Sequence, residues 1–432
     1  MNNEGKNLAV IGLRYVGLPL SVLFSRQYPV IGYDLSSTRI AELNNHCDVS
    51  DEVNSEALRQ VLQLSHESQG RIGLVVTNQS EKLAAAQVFI VAVPTPVDEN
   101  QLPDLAPLRQ ATRLIGSFLK IGDIVIYEST VYPGCTEEEM VPILEMESGL
   151  RCNIDFGVGY SPERLNPGDK QHPIETIVKV TSESNEFYAQ QVNQLYQSVI
   201  RAGTHCAPSI KIAEASKVIE NTQRDINIAF MNELSKVFSA LDIDMKEVLK
   251  AANTKWNFLS FHPGLVGGHC IGIDPYYLLH QSRRAGYEPG LIQSARTLND
   301  SMSNYVALQM IELMQQKKIT IANASVLVLG ASFKENTADI RNSRVFDLLG
   351  TLRNHGVQVD LYDPMVNPEA VAALYQQNCL TRKEQLKKYD GILLAVPHSV
   401  FSSFDWNACL KDVSVLYDLH GFIQGRKVDA TL

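Results

Sequence analysis

The sequence lacks the features that would place the chain in a membrane, in a disulfide-rich secreted class or on nucleic acid. No apolar run approaches the roughly 18–20 residues that are needed to cross a bilayer, and the first residues, 1–6, lack the basic-then-apolar order of a signal peptide. The seven cysteines are odd in number, scattered, and contain no C-x-x-C pair. This pattern predicts reduced thiols in a cytoplasm, with neither a disulfide framework nor a metal site.

The formal charge of −10 argues against a dedicated nucleic-acid-binding protein. It does not exclude a small anionic substrate, because anion sites are built locally from helix N-termini and a few Lys and Arg side chains. What is present is an ordinary globular composition over 432 residues, with 45% hydrophobic and 20% charged side chains. That length is enough for two or three domains and a sizeable core.

The first motif is a strand, a glycine turn, a helix and a second strand that ends on an acid. The strand Leu8–Ile11 runs into Gly12-Leu13-Arg14-Tyr15-Val16-Gly17, and after the helix the strand Val30–Tyr33 ends at Asp34. This order is typical of the mononucleotide-binding half of a doubly wound fold, with the helix N-terminus facing a pyrophosphate. Asp34 would accept hydrogen bonds from ribose hydroxyls and repel a 2′-phosphate, so the motif predicts NAD rather than NADP. Arg14 replaces the middle glycine, where the pyrophosphate normally comes close, and would have to swing outward.

Further Val- and Ile-rich strands alternate with helical stretches such as Glu137–Glu147, which predicts a parallel sheet buried on both faces. Two strands end in the loops 94–96 and 128–130, where either a ligand or plain turn chemistry fits. A short helix is predicted over Met245–Ala252. A second α/β unit follows, with a strand over Ser325–Leu329, a helix over Asn342–Asn354 and no second G-x-G-x-x-G. The fold prediction is therefore α/β, with two Rossmann-like, doubly wound parallel-sheet domains joined by a long central helix. The expected divisions are an NAD-binding domain over 1–205, a central helical region over 206–300 and a second Rossmann-like domain over 301–432.

One long helix is predicted from Pro208 to about Leu241, with an apolar stripe and a polar arc on opposite sides. The stripe consists of Ile212, Ile219, Ile226, Phe230, Val237 and Leu241, and the arc consists of Glu214, Lys217, Asn221, Asp225 and Asn232. A polar arc usually faces water. A helix that joins two domains is covered on more than one side, however, which makes the arc a candidate site as well.

The stretch from Pro263 to Pro275 places four glycines around Cys270. A cysteine in a glycine-rich loop is often a buried, inert thiol. Beside an NAD domain, a thiol is useful if an aldehyde must be oxidised to an acid, because the thiolate adds to the aldehyde and water later cleaves the thioester. Lys217 with Asn221 could steady the oxyanions, and Asp274 and Glu163 are candidate carboxylates for proton transfer. Asp274 before Pro275 also fits a helix N-cap.

These motifs together resemble the UDP-glucose/GDP-mannose dehydrogenase family from about Leu8 to Leu419, and most closely its bacterial branch that acts on UDP-N-acetylhexosamines. The resemblance rests on the glycine turn, the Cys270 loop and four further motifs, which are Val93-Pro94-Thr95-Pro96, Tyr127-Glu128-Ser129-Thr130-Val131-Tyr132-Pro133-Gly134, Tyr160-Ser161-Pro162-Glu163-Arg164 and Ala213-Glu214-Ala215-Ser216-Lys217-Val218-Ile219-Glu220-Asn221.

The resemblance implies a four-electron oxidation of a sugar C6 alcohol to a uronic acid with two NAD⁺ per turnover, in a cytoplasmic homodimer that buries the long helix. Position by position, it implies Cys270 as nucleophile, with Lys217, Asn221, Asp274, Glu163 and Thr130 in the catalytic site. The implied NAD contacts are Gly12, Arg14, Tyr15, Val16, Gly17, Asp34, Arg39, Thr95, Glu128, Ser129, Thr130 and Arg341. The implied sugar-nucleotide contacts are Glu163, Arg164, Leu165, Lys217, Asn221, His262, Gly264, Gly267 and Lys334, the last in the domain over 301–432.

The chain departs from the family at two places. UDP-glucose enzymes carry a lysine where Ile273 stands, which favours an N-acetylated hexose. The predicted substrate is UDP-GlcNAc or UDP-GalNAc, with UDP-glucose and UDP-ManNAc as alternatives, because the sequence does not settle the configuration at C4 or C2. The family often supplies a partner-subunit arginine near this loop, where His262 stands here. Two other classes remain open: a two-electron β-hydroxyacid dehydrogenase, which needs no cysteine, and a non-catalytic sensor of NAD or a nucleotide-sugar.

Overall fold

The structure, a computed structural model, describes residues 5–50, 52–165 and 171–432. Residues 1–4, on which the signal-peptide expectation partly rests, lie outside the described residues. The chain divides into two compact units. The first unit comprises Met1–Glu220 with Tyr276–Tyr287, and the second comprises Asn221–Pro275 with Glu288–Leu432.

The first unit is built on an eight-stranded sheet in the order β3-β2-β1-β4-β5-β6-β7-β8. All neighbouring strands are parallel except β6 and β7, which are antiparallel. The strands are β1 Leu8–Ile11, β2 Pro29–Tyr33, β3 Gly73–Thr77, β4 Val88–Val91, β5 Ile124–Tyr127, β6 Gly157–Tyr160, β7 Lys179–Glu183 and β8 Thr204–Cys206. Strands β1, β4 and β5 are buried along their whole length, because helices cover both faces of a parallel sheet.

Six α-helices of the first unit connect these strands: α1 Gly17–Ser25, α2 Ser37–Asn44, α3 Ser55–Glu67, α4 Ala106–Gly116, α5 Val141–Ser148 and α6 Glu186–Gln197. A π-helical turn, Thr136–Met140, precedes α5 where the sequence predicts one continuous helix. Asn54 and Asn185 cap α3 and α6 with their side-chain oxygens, which accept amide hydrogen bonds of the first turn.

Four helices follow: α7 Ile210–Ala240, α8 Met245–Ala252, α9 Asp274–Arg284 and α10 Gly290–Gln316. The boundary between the units falls inside α7, after Glu220, and again inside α9, after Pro275. The long helix therefore runs from one unit into the other, as the sequence predicts. The prediction of three domains, over 1–205, 206–300 and 301–432, stays a prediction.

The second unit carries a five-stranded, wholly parallel sheet in the order β11-β10-β9-β12-β13. Its strands are β9 Ser325–Leu329, β10 Gln358–Tyr362, β11 Cys379–Leu380, β12 Tyr389–Leu394 and β13 Leu410–Asp418, and its remaining helices are α11 Val345–Asn354, α12 Pro368–Tyr375 and α13 Trp406–Cys409. The predicted fold class, with two doubly wound parallel sheets, is confirmed.

Each sheet has one point at which the strand order reverses, between β1 and β4 in the first unit and between β9 and β12 in the second. A glycine with positive φ follows the central strand in both, Gly12 (φ 93°) and Gly330 (φ 91°). In open α/β sheets, ligands bind outside the carboxyl ends of the strands at such a point. The topology therefore provides one ligand crevice per unit.

Candidate functional site

The glycine turn after β1 is shaped by the close approach of backbone segments. A Cβ on Gly12 would lie 2.7 Å from the Ala92 carbonyl oxygen, and a Cβ on Gly17 would lie 1.8 Å from the Gly12 oxygen. Both positions therefore require glycine. Arg14 is exposed, while Tyr15 and Val16 are half-buried. The middle position of the motif tolerates an arginine because its side chain points to solvent.

Two charged side chains brace this turn from opposite sides through one residue. The Leu13 amide donates to Asp34 Oδ2 (3.0 Å), and Arg39 Nε donates to the Leu13 carbonyl (2.8 Å). Arg39 is buried and also pairs with Asp48 (2.7 Å), whereas Asp34 is half-buried at the end of β2. Asp34 thus keeps surface for a ribose hydroxyl. The contacts of Asp34 and Arg39 with NAD stay predictions.

The loop after β4 is held by a tyrosine of α9 that belongs to the same unit. The Tyr277 hydroxyl donates to the Thr95 carbonyl (2.9 Å) and to the Pro96 carbonyl (3.0 Å). Thr95 is half-buried at the carboxyl edge of the sheet, beside the switch point. The loop 94–96 is thus fixed where a ligand would bind, as expected for a site on a rigid scaffold.

A buried lysine lies between two of the predicted site carboxylates. Lys179 Nζ lies 2.6 Å from Glu128 Oε2, 3.8 Å from Glu163 Oε2 and 3.1 Å from the Pro162 carbonyl, to which it donates. The Tyr196 hydroxyl donates to the other oxygen of Glu128. Burial raises the pKa of Glu128 to about 7, against the opposing effect of Lys179. The carboxylate of Glu128 is thus occupied inside the protein, and its predicted contact with NAD stays a prediction.

The two residues after Glu128 lie at the same strand end. Ser129 is buried and its Oγ donates to the Val93 carbonyl (2.7 Å), while Thr130 is half-buried. On the next strand along, the Leu165 amide donates to Glu163, and Arg164 donates to the Val178 carbonyl (3.0 Å) and pairs with Glu220 (2.8 Å). The fold therefore brings Glu128, Thr130 and Glu163 to one edge of the first sheet.

The polar arc of α7 is buried rather than water-facing. Glu214 is buried and accepts hydrogen bonds from the amides of Gly134 (2.5 Å) and Thr136 (2.9 Å), and burial raises its pKa to about 7. Lys217 is 5% exposed. Asp225 pairs with Arg296 (2.5 Å) inside the second unit. The end residues of the arc therefore make structural contacts. Its middle residues, Lys217 and Asn221, remain the candidate site residues.

Asn221 and Asp274 meet directly. Asn221 Nδ2 donates to Asp274 Oδ2 (2.6 Å), and the Asp274 amide donates to the Cys270 carbonyl (2.9 Å). Helix α9 begins at Asp274 itself, one residue earlier than the N-cap prediction assumes, and the Asp274 carboxylate is held by Asn221. Three predicted catalytic residues of the second unit, Cys270, Asn221 and Asp274, thus form one connected group. Lys217, Glu163 and Thr130 belong to the first unit, and their meeting with Cys270 stays a prediction.

The loop before Cys270 is packed so tightly that its glycines are required. A Cβ on Gly267 would lie 2.6 Å from the Asn342 carbonyl oxygen, and one on Gly268 would lie 2.6 Å from the Phe333 ring. Gly264 exchanges two hydrogen bonds with Asn232. Cys270 is half-buried, and His262 is exposed. The Cys270 thiol is thus presented on a rigid loop.

A pocket of about 130 Å³ lies at the switch point of the second sheet. Lys334 lines it together with residues of the Cys270 loop and of the strand ends, which are Leu265, Gly267, Ser332, Phe333, Glu335, Ser343, Arg344, Val345, Ala395, Val396, Pro397 and His420. The Lys334 ammonium lies 5.6 Å from the centre of the Phe333 ring. A cation beside an aromatic ring suits a phosphate and a nucleobase. The predicted contact of Lys334 with a nucleotide-sugar stays a prediction.

Arg341 extends from the same pocket-lining segment but is held by a neighbour. Its guanidinium donates to both oxygens of Asp339 (2.9 and 2.6 Å). Burial opposes the ionisation of Asp339, yet the hydrogen bonds from Arg341 outweigh it and lower the pKa of Asp339. The predicted contact of Arg341 with NAD stays a prediction.

Sequence reasoning missed Lys179, Tyr196 and Asn342. Lys179 carried one signal, because it is a charged residue that interrupts the apolar run Ile177-Val178-Lys179-Val180 at the start of β7. Tyr196 and Asn342 carried none, since a tyrosine in an amphipathic helix and an asparagine after an arginine are ordinary. Their partners lie 68 and 74 positions away in the chain, so only the fold identifies them.

Within residues 5–50, 52–165 and 171–432, no helix is both long and apolar enough to cross a membrane. In the same part of the chain, no group of three or more His, Cys, Asp or Glu side chains could hold a metal ion.

Comparison with known proteins matches three consecutive domains of one family across the chain. Residues 6–200 match the NAD binding domain of the UDP-glucose/GDP-mannose dehydrogenase family, 211–301 match its central domain, and 327–425 match its UDP binding domain.

Similar proteins cover almost the whole chain. A UDP-N-acetyl-D-glucosamine 6-dehydrogenase of Salmonella typhi is 48% identical over 428 residues, which is 98% of each chain. A protein of the same name from Pseudomonas aeruginosa is 49% identical over 428 residues, covering 98% of this chain and 99% of the relative. Among solved structures, the UDP-D-ManNAc dehydrogenase of Pyrococcus horikoshii aligns with a TM-score of 0.86 and 32% identity, over 98% of this chain and 97% of that one.

Proposed function

This chain belongs to the UDP-glucose/GDP-mannose dehydrogenase family, and we propose that it oxidises the C6 hydroxyl of UDP-GlcNAc or UDP-GalNAc to the uronic acid, with two NAD⁺ per turnover. The names of the two bacterial relatives support the N-acetylhexosamine. The observation that carries the proposal is that Lys334 and the loop leading to Cys270 line one pocket. A nucleotide held by Lys334 would therefore be held close to the nucleophile loop.

The first unit fits NAD⁺. The glycine turn needs glycine at its first and last positions, and the exposed Arg14 leaves the middle open. The half-buried Asp34 follows β2, at the position where this motif carries the acid that binds the ribose. When bound, each of the two NAD⁺ used per turnover would accept one of the two hydrides that the sugar carbon loses. The residues of the chain bind, orient and move protons around that chemistry.

Cys270 has the central role in this proposal. The first oxidation converts the C6 alcohol to an aldehyde, to which the Cys270 thiolate adds to form a thiohemiacetal. Loss of a second hydride leaves a thioester, and water then cleaves the carbon–sulfur bond to release the acid and regenerate the thiol. One alcohol, one water and two NAD⁺ are consumed for each acid formed.

The remaining residues steady charge and move protons. Asn221 and Asp274 form a hydrogen-bonded pair beside Cys270, which supports a role in ordering the oxyanion and the water. Lys217 would neutralise the developing oxyanion, and Glu163, with Thr130 near the water, would assist hydrolysis of the thioester. The predicted substrate contacts of Arg164, Leu165, Gly264 and Gly267 remain part of this proposal, as does that of His262.

Ile273 supports the choice of an N-acetylated sugar. It is buried, so the position that carries a lysine in UDP-glucose enzymes is here part of the packed interior. A buried apolar side chain offers no hydrogen bond to a sugar hydroxyl. The product, a nucleotide-activated uronic acid, is a donor for surface polysaccharides such as capsule or O-antigen.

The test is the number of NADH formed per sugar across UDP-GlcNAc, UDP-GalNAc, UDP-ManNAc and UDP-glucose, followed by absorbance. We expect two equivalents, with the highest kcat/KM for an N-acetylated gluco or galacto sugar. One equivalent with an aldehyde or ketone product would contradict the proposal and favour the two-electron β-hydroxyacid class. Binding without NADH for every sugar would favour a sensor.

Replacing the nucleophile separates the two oxidation steps. Cys270→Ser should stall net acid formation by at least about 10³-fold, because an alkoxide forms far less readily than a thiolate. Cys206→Ser, at an exposed cysteine of the first unit, is the matched control and should retain activity. Undiminished acid formation by Cys270→Ser would overturn the assigned role.

A homodimer built on α7 is part of the proposal. The apolar stripe of this helix is exposed at Ile212, Ile219, Phe230, Val237 and Leu241. An apolar stripe of this length is costly to leave in water and is typical of a protein interface. A second copy of the chain would cover it, as the family resemblance implies.

A cytoplasmic location is also proposed. The seven cysteines, all of which lie in the described residues, form no disulfide bond with one another, which suits a reducing compartment. The same compartment supplies NAD⁺ and nucleotide-sugars.

A further inference from the structure

Every second residue of the loop before Cys270 is held by a side chain from outside the loop. Gly264 donates to Asn232 Oδ1 (2.8 Å) and accepts from Asn232 Nδ2 (3.0 Å). The Val266 carbonyl accepts from Arg344 Nε (3.4 Å). Gly268 donates to the Asn342 carbonyl (3.2 Å) and accepts from Asn342 Nδ2 (2.9 Å). The position of the loop is therefore set by residues distant in sequence.

Of these contacts, the one nearest to the nucleophile is that of Asn342, which holds Gly268, two positions before Cys270. The two hydrogen bonds between Asn342 and Gly268 are called the clamp below. Its backbone lies in the left-handed region, with φ 51°, a conformation that asparagine tolerates better than most residues. This conformation directs both its carbonyl oxygen and its side-chain amide at Gly268. One residue thus makes a two-point contact with Gly268.

The segment that carries Asn342 also forms a wall of the pocket. The Phe333 amide donates to the Asp339 carbonyl (3.1 Å), and Ser343 Oγ donates to the Ser332 carbonyl (3.2 Å). These bonds close 332–343 into one loop, which bears Lys334 on one side and Asn342 on the other. The Phe333 ring leaves no room for a side chain at Gly268. A ligand bound at Lys334 therefore acts on the segment that holds Gly268.

We propose that Asn342 is a positioning residue that couples nucleotide occupancy of the pocket to the placement of Cys270. The inference rests on the proposed function, because it takes the pocket at Lys334 as the site of the UDP moiety. Ordering of the pocket loop by the nucleotide would order Gly268 through the two hydrogen bonds of Asn342, and with it the thiol. Precise placement of a reacting group is worth large factors in rate, and such coupling is a free energy shared between two sites.

Two substitutions separate the arms of the clamp. Asn342→Gly removes the side-chain bond, keeps the carbonyl bond, and adds no strain because glycine accepts positive φ. Asn342→Asp keeps the shape but turns a carboxylate oxygen toward the Gly268 carbonyl, which repels it. Asn323→Gly is the matched control, since Asn323 also has positive φ (65°), belongs to the same unit and precedes β9. Circular dichroism and thermal midpoints identify any variant that fails to fold.

The main readout is the rate at which iodoacetamide alkylates Cys270, with and without saturating UDP, measured by peptide mass spectrometry. In the wild type and in Asn323→Gly, we expect UDP to change this rate by at least about 3-fold. In Asn342→Gly the change should vanish while the Kd for UDP stays within about 2-fold. For turnover, we expect a kcat about 10-fold lower with a nearly unchanged KM for the UDP-sugar, and a larger loss for Asn342→Asp.

An effect of UDP that persists undiminished in Asn342→Gly would overturn the coupling, because direct shielding by the nucleotide does not need the clamp. Bound UDP without any effect on the wild-type thiol would also overturn it. A protein that does not bind UDP would instead refute the proposed function. A protein that binds UDP and forms two NADH per sugar but shows no difference between the variants would refute the coupling alone.

Discussion

At the scale of single residues, the most unusual feature is the buried group of Lys179, Glu128 and Glu163. One ammonium lies within ion-pair distance of two carboxylates, so the group carries an excess negative charge inside the protein. Burying an unpaired charge is costly, and one proton retained by a carboxylate removes that cost. The raised pKa of Glu128, about 7, is consistent with such a proton.

The pH dependence of stability follows from this proton. Because the pKa of Glu128 in the folded chain lies above the ordinary glutamate value of 4.5, folding takes up a proton. The contribution of this group to stability is therefore fully present below pH 4.5 and falls as the pH rises to about 7.

The substitution Lys179→Met should extend the loss of folding stability to higher pH. Without the cation, Glu128 has to remain protonated or lie buried as an unpaired anion. We expect little effect at pH 6 and a destabilisation of about 3 kcal/mol at pH 8, measured by urea unfolding followed by circular dichroism.

The double variant Glu128→Gln with Lys179→Met is the control for the charge itself. It removes both charges and leaves an amide oxygen for the Tyr196 hydroxyl, so it should regain more than half of the stability lost at pH 8. Equal destabilisation by Lys179→Met at both pH values would show that packing, not charge, is responsible.

At the scale of elements, α7 is an amphipathic helix whose polar side is inside. Glu214, Asp225 and Asn232 are fully buried, while Ile212, Ile219 and Phe230 are more than half exposed. The buried polar side chains are satisfied by specific partners, as in the pairs Glu214 with Gly134 and Asn232 with Gly264. The helix therefore faces the inside of the protein with its polar side and the surface with its apolar side, which is the reverse of the usual arrangement.

Phe230→Lys should weaken the proposed dimer. A charged side chain in the centre of the apolar stripe would lose its water on association, and we expect the dimer dissociation constant to rise at least about 100-fold. Analytical ultracentrifugation distinguishes a 48.0 kDa chain from twice that mass.

Ser239→Lys introduces the same charge at an exposed position on the opposite side of the helix, about 180° from Phe230, and should leave the dimer intact. A wild-type protein that sediments as a monomer at micromolar concentration, or a Phe230→Lys variant that remains a dimer, would contradict the role of the stripe.

At the scale of the whole molecule, the two units share one architecture. Each unit has a parallel sheet, a glycine with positive φ after its central strand and a switch point beside it. The first unit adds the acid Asp34, and the second adds Lys334 in a pocket. A net charge of −10 is compatible with anionic ligands because each crevice is built from local amides and cations.

Hydrogen exchange should show which unit binds NAD⁺ and which binds UDP. A ligand that binds only the folded state slows local opening around its site. We expect NAD⁺ to protect amides of the glycine turn and α1, and UDP to protect the loop over 332–343, each by about 10-fold at concentrations near 10 times Kd.

As controls, NAD⁺ added alone should leave the exchange rates of the loop over 332–343 unchanged, and UDP added alone should leave those of the glycine turn unchanged. Protection of the glycine turn by UDP, or of the loop over 332–343 by NAD⁺ at the same level, would contradict the assignment of one ligand to each unit.

Local patterns were enough to predict most of the fold. Strand β1, helix α8 and strand β9 begin and end where the sequence predicts, because short buried Val and Leu runs and amphipathic periodicity act over a few residues. The antiparallel β7 and the π-helical turn at Thr136–Met140 were not predicted, since strand direction and helix register depend on distant packing. Helix α11 starts at Val345 rather than at Asn342, which adopts positive φ to reach Gly268.

By itself, the sequence determined the family, the two Rossmann-like units, the cofactor and the identities of the candidate site residues, because glycine turns, strand-end acids and a cysteine among glycines are local signals. Only the tertiary structure decided which face of α7 is buried, which carboxylates share Lys179, and how Asn342 holds the loop before Cys270. Those contacts join residues far apart in the chain, and their partners depend on how strands and helices pack rather than on any spacing in the sequence.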